Sequence, residues 1–194
     1  MDVKDFYNKI SSKYEELIAS PKTDAKLHEN LLNILIKHSI DSGSILDVGC
    51  GPGNLKNYLG DNFTYTGIDI SDEMLNIAKQ KEYRTIEGSL DEIIPELKSN
   101  SFDYVVAISS LHFIENIETV LKEFERIARK GYFITLERVT DNYKKGFSSV
   151  CEGPIYNHFE LDIVNTTEEI KFPGWFSSRD NEFINARMIF KKTN

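Results

Sequence analysis

Apolar side chains in the N-terminal segment recur every three to four positions. Phe6, Ile10, Tyr14, Leu17 and Ile18 form one series, and Leu27, Leu31, Ile34, Leu35 and His38 a second, with charged residues between them. That is the period of amphipathic helices. Pro21 closes the first and Gly43 the second. From Ser44 the period changes. Short apolar runs at Ser44 to Val48, Tyr65 to Ile70, Tyr83 to Glu87, Phe102 to Ile108 and Tyr132 to Leu136 read as strands. Between them lie helical stretches: Leu55 to Leu59, a segment capped by Ser71 that runs to about Lys81, Leu90 to Leu97 interrupted by Pro95, and a segment capped by Asn116 and stopped by Gly131. Apolar strands alternating with amphipathic helices predict a parallel sheet covered on both faces, a doubly wound α/β domain over residues 44–139. The last 55 residues (140–194) are rich in turn residues and aromatics, and only Ile184 to Lys191 reads as a clear strand.

Length and charge narrow the picture. The chain has 194 residues, enough for one domain with a sizeable core. Its 23 basic and 31 acidic residues leave a net charge of −8, which disfavours a nucleic-acid-binding face built from clustered Lys and Arg. No apolar run approaches the roughly 18 residues that span a bilayer. The start, Met1 to Phe6, lacks the apolar stretch of a secretory leader. Cys50 and Cys151 make no disulfide framework, and no His stands near either at metal-ligand spacing. A cytoplasmic protein with no metal and no membrane partner is the expectation.

The sharpest feature is Asp47-Val48-Gly49-Cys50-Gly51-Pro52-Gly53, directly after the first strand and opening a helix. Glycines there let backbone approach a ligand that a side chain would hold off, and the helix start offers free N–H groups. The spacing is Gly-x-Gly-x-Gly, one residue short of the dinucleotide fingerprint. Asp47 would repel a pyrophosphate and suits a cationic ligand. Asp69 ends the second strand, 69 − 49 = 20 residues after the first glycine, where an acid can accept hydrogen bonds from ribose hydroxyls.

Together these residues resemble the class I methyltransferases that use S-adenosylmethionine. Ile45 to Gly53 is similar to that family's first motif, Thr66 to Leu75 to its second, and Phe102 to Val106 with Ser110-Leu111-His112 to its fourth; the resemblance covers residues 44–138 and is closest to the group containing quinone-biosynthesis and other small-molecule enzymes. It implies a Rossmann-like, mostly parallel seven-stranded sheet with an antiparallel C-terminal strand and helices on both faces. It implies one domain over 1–194, with 1–43 a helical lid, 44–139 the cofactor-binding core and 140–194 the acceptor side. It implies S-adenosylmethionine as cofactor and S-adenosylhomocysteine as product. Gly49, Cys50, Gly51 and Gly53 would pass the methionyl part, with Asp47 holding its ammonium through water. Asp69 would take the ribose, Ile70 and Met74 would pack on adenine, and Ser89 and Leu90 would lie at its edge, although many family members carry an acid where Ser89 stands. Ile108 would offer its backbone near the methionyl end.

The implied reaction is an in-line displacement on the cofactor's methyl, which needs a base only for acceptors such as phenols or alcohols. His112, after the fourth strand, is the candidate base; the competing reading is a histidine that packs. Tyr7 and Tyr14 are candidate lid residues, against ordinary core packing. Trp175, among the aromatics of 139–183, is a candidate substrate contact. Glu137 ends the fifth strand and could line the pocket, against the reading of a solvated charge at a strand end, and His28, His38 and His158 read as surface or core residues. The leading expectation is methyl transfer to a small molecule. A protein or tRNA acceptor, a non-catalytic cofactor-binding partner subunit and a dehydrogenase stand behind it.

Overall fold

A computed structural model describes residues 1–17, 21–163, 166–173 and 183–193. The chain opens with α1 (Val3–Ile10) and α2 (Tyr14–Leu17), separated by a 3₁₀ turn at Ser11–Lys13. One continuous helix was expected here. Ser11 instead turns its hydroxyl back to the Asn8 carbonyl at 3.0 Å, the local bond through which serine competes with helix. α3 (Pro21–Lys37) follows, then β1 (Gly43–Val48), α4 (Leu55–Leu59), β2 (Phe63–Asp69), α5 (Asp72–Gln80), β3 (Arg84–Glu87), α6 (Leu90–Ile93), β4 (Phe102–Ala107) and α7 (Ile117–Ile127). β5 (Ala128–Glu137), α8 (Asp141–Ser148), β6 (Thr166–Pro173) and β7 (Phe183–Lys192) complete the chain.

The strands line up in the order β3-β2-β1-β4-β5-β7-β6. β1 to β5 pair in parallel, and β7 runs antiparallel to both β5 and β6. The result is a Rossmann-like, mostly parallel sheet with an antiparallel C-terminal strand. Side chains alternate between its faces. Ile45, Tyr104, Val106 and Phe133 join the core under α3 and α5, while Leu46, Val48, Val105, Ala107 and Ile134 join the core under α7. Burial on both faces is why these strands read as unbroken apolar runs.

Three expectations need correction. Gly131 does not stop α7, which ends at Ile127. It lies inside β5, where a Cβ would fall on the Lys191 carbonyl of β7; it is a close-approach glycine, not a helix cap. β6 lies where the sequence shows no clear strand; the run Thr166 to Glu169 is polar, and among the described residues β6 pairs only with β7, as an edge strand does. α8 was also unforeseen, although Thr140 caps it by accepting from the Tyr143 N–H at 3.1 Å. Among the described residues no helix is long and apolar enough to cross a membrane.

The chain leaves β3 and returns to β4 on the far side of β1, so the carboxyl ends of β1 and β4 frame the crevice where open α/β sheets bind ligands.

Candidate active site

Two cavities meet at this crevice. The larger, of about 270 Å³, is lined by Asp69, Ile70 and Met74 from the end of β2 and start of α5, by Ser89, Leu90 and Asp91 after β3, and by Val3, Tyr7, Phe113 and Ile114 on the opposite side. The smaller, of about 60 Å³, is lined by Asp47, Cys50, Asn54 and His28 among others. Tyr14, Gly49, Gly51, Ile108 and Ser109 border both, so the two are neighbours.

The glycine ribbon between them is tied to β2. The N–H groups of Gly49 and Cys50 both donate to the Ile68 carbonyl, at 2.8 and 3.0 Å. The N–H of Gly51 donates to Asp69 Oδ2 at 2.8 Å. Gly49 and Gly51 sit at φ 67° and 51°, the left-handed region that favours glycine. A Cβ on Gly49 would fall on that of Ser110, whereas one on Gly51 would meet nothing within 4 Å. Gly51 therefore keeps open a space that the protein does not fill. Gly53 differs. It lines neither cavity, and its absent Cβ makes room for the Tyr83 ring at 3.0 Å and Ala78 at 3.2 Å. Gly53, expected beside the methionyl part, is thus placed among packed side chains rather than on either cavity wall.

Two carboxylates flank the ribbon. Asp47 is buried, with Tyr83 donating to Oδ2 at 3.0 Å. Burial pushes its carboxyl up to about 7; the Tyr83 bond opposes this and the Asp69 charge adds to it. Asp69 is also raised by burial, against N–H donors from Ser71 and Gly51. Its Oδ1 accepts from Ser71 N at 2.9 Å, which leaves each oxygen a lone pair for a further donor. A buried acid held near neutrality beside a small cavity suits a ligand cation. An acid with spare acceptor capacity suits hydroxyls. The residues present thus fit a cationic ligand bearing a ribose, as S-adenosylmethionine is.

The structure brings together on these walls most of the residues singled out from the sequence: Asp47 and Cys50 on the smaller cavity, Asp69, Ile70, Met74, Ser89, Leu90 and Tyr7 on the larger, and Gly49, Gly51, Ile108 and Tyr14 on both. Trp175 lies outside the described residues. His112 does not reach the site. It is 3 % exposed, lines neither cavity, and packs behind Phe113 with ring centroids 4.2 Å apart. Glu137 is not the solvated charge expected; it is 6 % exposed, accepts from Ser109 Oγ at 2.6 Å and Thr135 Oγ1 at 2.8 Å, and faces His112 Nδ1 at 3.9 Å. The sequence does not mark Ser109, Phe113 or Asp91, and it reads His28 as a surface or core residue, whereas His28 lines the smaller cavity. Of these only Ser109 had a usable signal, its place one residue beyond Ile108.

α1 roofs the larger cavity. Ser71 Oγ donates to Asn8 Oδ1 at 2.6 Å, Asn8 Nδ2 donates to Asp72 Oδ1 at 2.8 Å, and Lys4 pairs with Glu87 at 2.7 Å. Tyr7 closes edge-on against Phe113 with centroids 6.2 Å apart.

Comparison with known proteins matches this geometry. Residues 46–135 match the family model described as a methyltransferase domain. These matches support a class I S-adenosylmethionine-dependent methyltransferase. It is 29% identical over 191 residues to a demethylmenaquinone methyltransferase of Bacillus licheniformis, covering 91% of this chain and 79% of that one. It is 30% identical over 135 residues to an uncharacterised protein of Methanocaldococcus jannaschii, covering 69% of this chain and 51% of that one, so the chain spans about half the length of this relative. In fold it is similar to the magnesium protoporphyrin IX methyltransferase of Synechocystis solved with bound SAH, with a TM-score of 0.69 at 15% identity over 99% of this chain and 98% of that one.

Proposed function

We propose that this protein transfers a methyl group from S-adenosylmethionine, its adenosyl part against Asp69, Ile70 and Met74 in the larger cavity, to a small-molecule acceptor. The observation that carries this reading is a ribbon free of side chains at Gly49 and Gly51, with the buried carboxylate of Asp47 and the half-buried one of Asp69 on its two sides. When bound, the cofactor supplies an electrophilic methyl group on sulfur.

The chain's own residues supply binding, orientation and exclusion of water. Gly49 and Gly51 leave the main chain bare beside the methionyl part. Asp47 takes the ammonium, and Asp69 accepts from ribose hydroxyls while keeping its two backbone donors. Ile70 and Met74 pack on adenine, Ser89 and Leu90 lie at its edge, and the Ile108 backbone borders the methionyl end. Tyr7 and Tyr14 close the roof, which keeps water from the reacting centre. Holding acceptor and methyl group in line in such a cavity can supply on the order of 7–11 kcal/mol of the barrier. The base expected in His112 is not part of this reading, because the side chain lies behind the wall. Support for a small acceptor comes from the largely apolar walls and from the relative named demethylmenaquinone methyltransferase.

Titration calorimetry with S-adenosylmethionine, S-adenosylhomocysteine and nicotinamide dinucleotide tests the cofactor, and a methyl-transfer assay over a metabolite panel tests the acceptor. Binding of the first two ligands and turnover of a small molecule are expected. Preference for the dinucleotide overturns the reading, and transfer only to protein or RNA replaces the small acceptor with a macromolecule.

A further inference from the structure

Behind the acceptor side of the crevice lies a buried polar cluster that methyl transfer as described leaves unused. Ser109 follows β4 at φ 55°, a left-handed conformation uncommon for a residue with a side chain, and borders both cavities. Its N–H donates to Thr135 Oγ1 at 2.7 Å, and its hydroxyl donates to Glu137 Oε1 at 2.6 Å. Thr135 passes its own hydroxyl proton to the same oxygen at 2.8 Å. The other oxygen, Oε2, faces His112 Nδ1 at 3.9 Å, and neither ring nitrogen of His112 has a hydrogen-bond partner among the described residues. Non-glycine residues are held in such conformations where surrounding structure over-determines them, often at ligand-binding sites. Here the two hydrogen bonds to strand β5 do that.

The direction of these bonds has a chemical consequence. An ionised carboxylate can only accept. Burial raises Glu137, but the imidazole of His112 and the hydroxyls of Ser109 and Thr135 outweigh it, so the group stays below its usual range and ionised. The single proton of Ser109 is therefore committed inward. What its oxygen can offer a neighbour in the cavity is a lone pair. The rest of the larger cavity points the same way: among the described residues no Lys, Arg or His lines it, while Asp69 and Asp91 do. Among the described residues an anionic acceptor finds no cationic side chain there, only the charge of the cofactor itself.

We propose that Ser109, oriented by Glu137, makes the site select a methyl acceptor that carries a hydrogen to donate, a hydroxyl or a primary or secondary amine, over a ligand of the same shape without one. Ser109 is the contact and Glu137 the positioning residue. The inference rests on the proposed methyl-transfer function and narrows its acceptor.

The test uses the whole chain loaded with S-adenosylhomocysteine and matched probes: phenol against anisole, and aniline against N,N-dimethylaniline, with dissociation constants from ligand-observed NMR titration. Phenol and aniline should bind about tenfold more tightly than their methylated partners, the ratio one hydrogen bond to a polarised acceptor gives. Ser109→Ala should bring both ratios close to one. Glu137→Gln places an amide donor opposite Ser109, freeing its hydroxyl to turn outward, and should shift preference toward anisole; Glu137→Asp should keep the original preference. A purely structural role for Glu137 would weaken all probes alike. Equal binding of each pair by the wild type, ratios unchanged in Ser109→Ala, or no measurable binding of phenol and aniline overturns the inference, and Ser109→Ala decides the matter if Glu137→Gln does not fold. Failure to bind S-adenosylhomocysteine at all overturns the proposed function and this inference with it. Cofactor binding with donor-blind probes overturns the inference alone.

Discussion

Asp47 is the residue at which the physics of the site is most exposed to measurement. Its carboxyl, near 3.8 in the unfolded chain, is pushed up to about 7 in the fold, chiefly by burial. The folded state thus holds this proton more tightly than the unfolded one. The group's contribution to stability is greatest below the unfolded value, declines as pH rises from about 4 to about 7, and is constant above that. Thermal melts of Asp47→Asn should accordingly show a flatter pH dependence across that window than the wild type, and an unchanged slope would mean the acid is not held this way. For a ligand ammonium the sign reverses. The cation requires the ionised form, so below pH 7 binding of S-adenosylmethionine should release up to one proton, and affinity should climb with pH until about 7. Calorimetry at pH 6 in buffers of different ionisation enthalpy counts that proton, which Asp47→Asn should abolish. At the neighbouring strand, Asp69→Ala should lower cofactor affinity by about 1–3 kcal/mol, through lost bonds to the ribose and through release of the Gly51 N–H that fixes the ribbon.

At the scale of elements, what the sequence revealed and what it hid have the same physical origin. Asp47, Gly49, Gly51, Asp69 and Ile108 were legible because each stands where an apolar run ends, and in a parallel sheet those ends share one edge. Gly53 carries the same motif letters, yet whether a glycine faces a ligand or a packed ring depends on what its absent Cβ would meet, and Tyr83 is thirty positions away in the chain (83 − 53). Glu137 ends β5, which turns it inward under Ser109, a contact across 28 residues that no local period encodes. His112, for which packing stood open beside the base role, lies in the turn Leu111–Phe113 after β4. β6 was invisible because an edge strand needs no apolar alternation on both faces. The roof is an element whose hold can be tested. α1 meets the α5 start through Asn8, whose amide takes one bond from Ser71 and gives one to Asp72. Asn8→Ala removes both and should cost about 1–3 kcal/mol of local stability. Hydrogen exchange should rise over residues 3–10 while the strands β1 and β4 keep their protection; loss of protection throughout would show that α1 is part of the core and not a separable cover.

For the molecule as a whole, the crevice divides the sheet at β1 and β4, and the ribbon that closes it carries little of the apolar core. Stability and ligand binding should therefore be separable in one direction and coupled in the other. A ligand that binds only the folded state stabilises it by about 2.7 kcal/mol at a hundredfold excess over its dissociation constant. For a chain of this length each kcal/mol moves the midpoint by roughly 2–4 °C, so saturation with S-adenosylhomocysteine should raise it by about 5–10 °C. Gly51→Val separates the two effects. Its side chain would enter the space that nothing in the protein fills, at a φ of 51° that disfavours a branched residue, and the backbone strain alone costs about 1–2 kcal/mol. The variant should melt a few degrees lower, remain folded because the two cores on either face of the sheet are untouched, and show no upward shift with the cofactor product. If Gly51→Val keeps the full ligand-induced shift, the cofactor does not lie against this ribbon, and the roles assigned to Asp47 and Asp69 fall together.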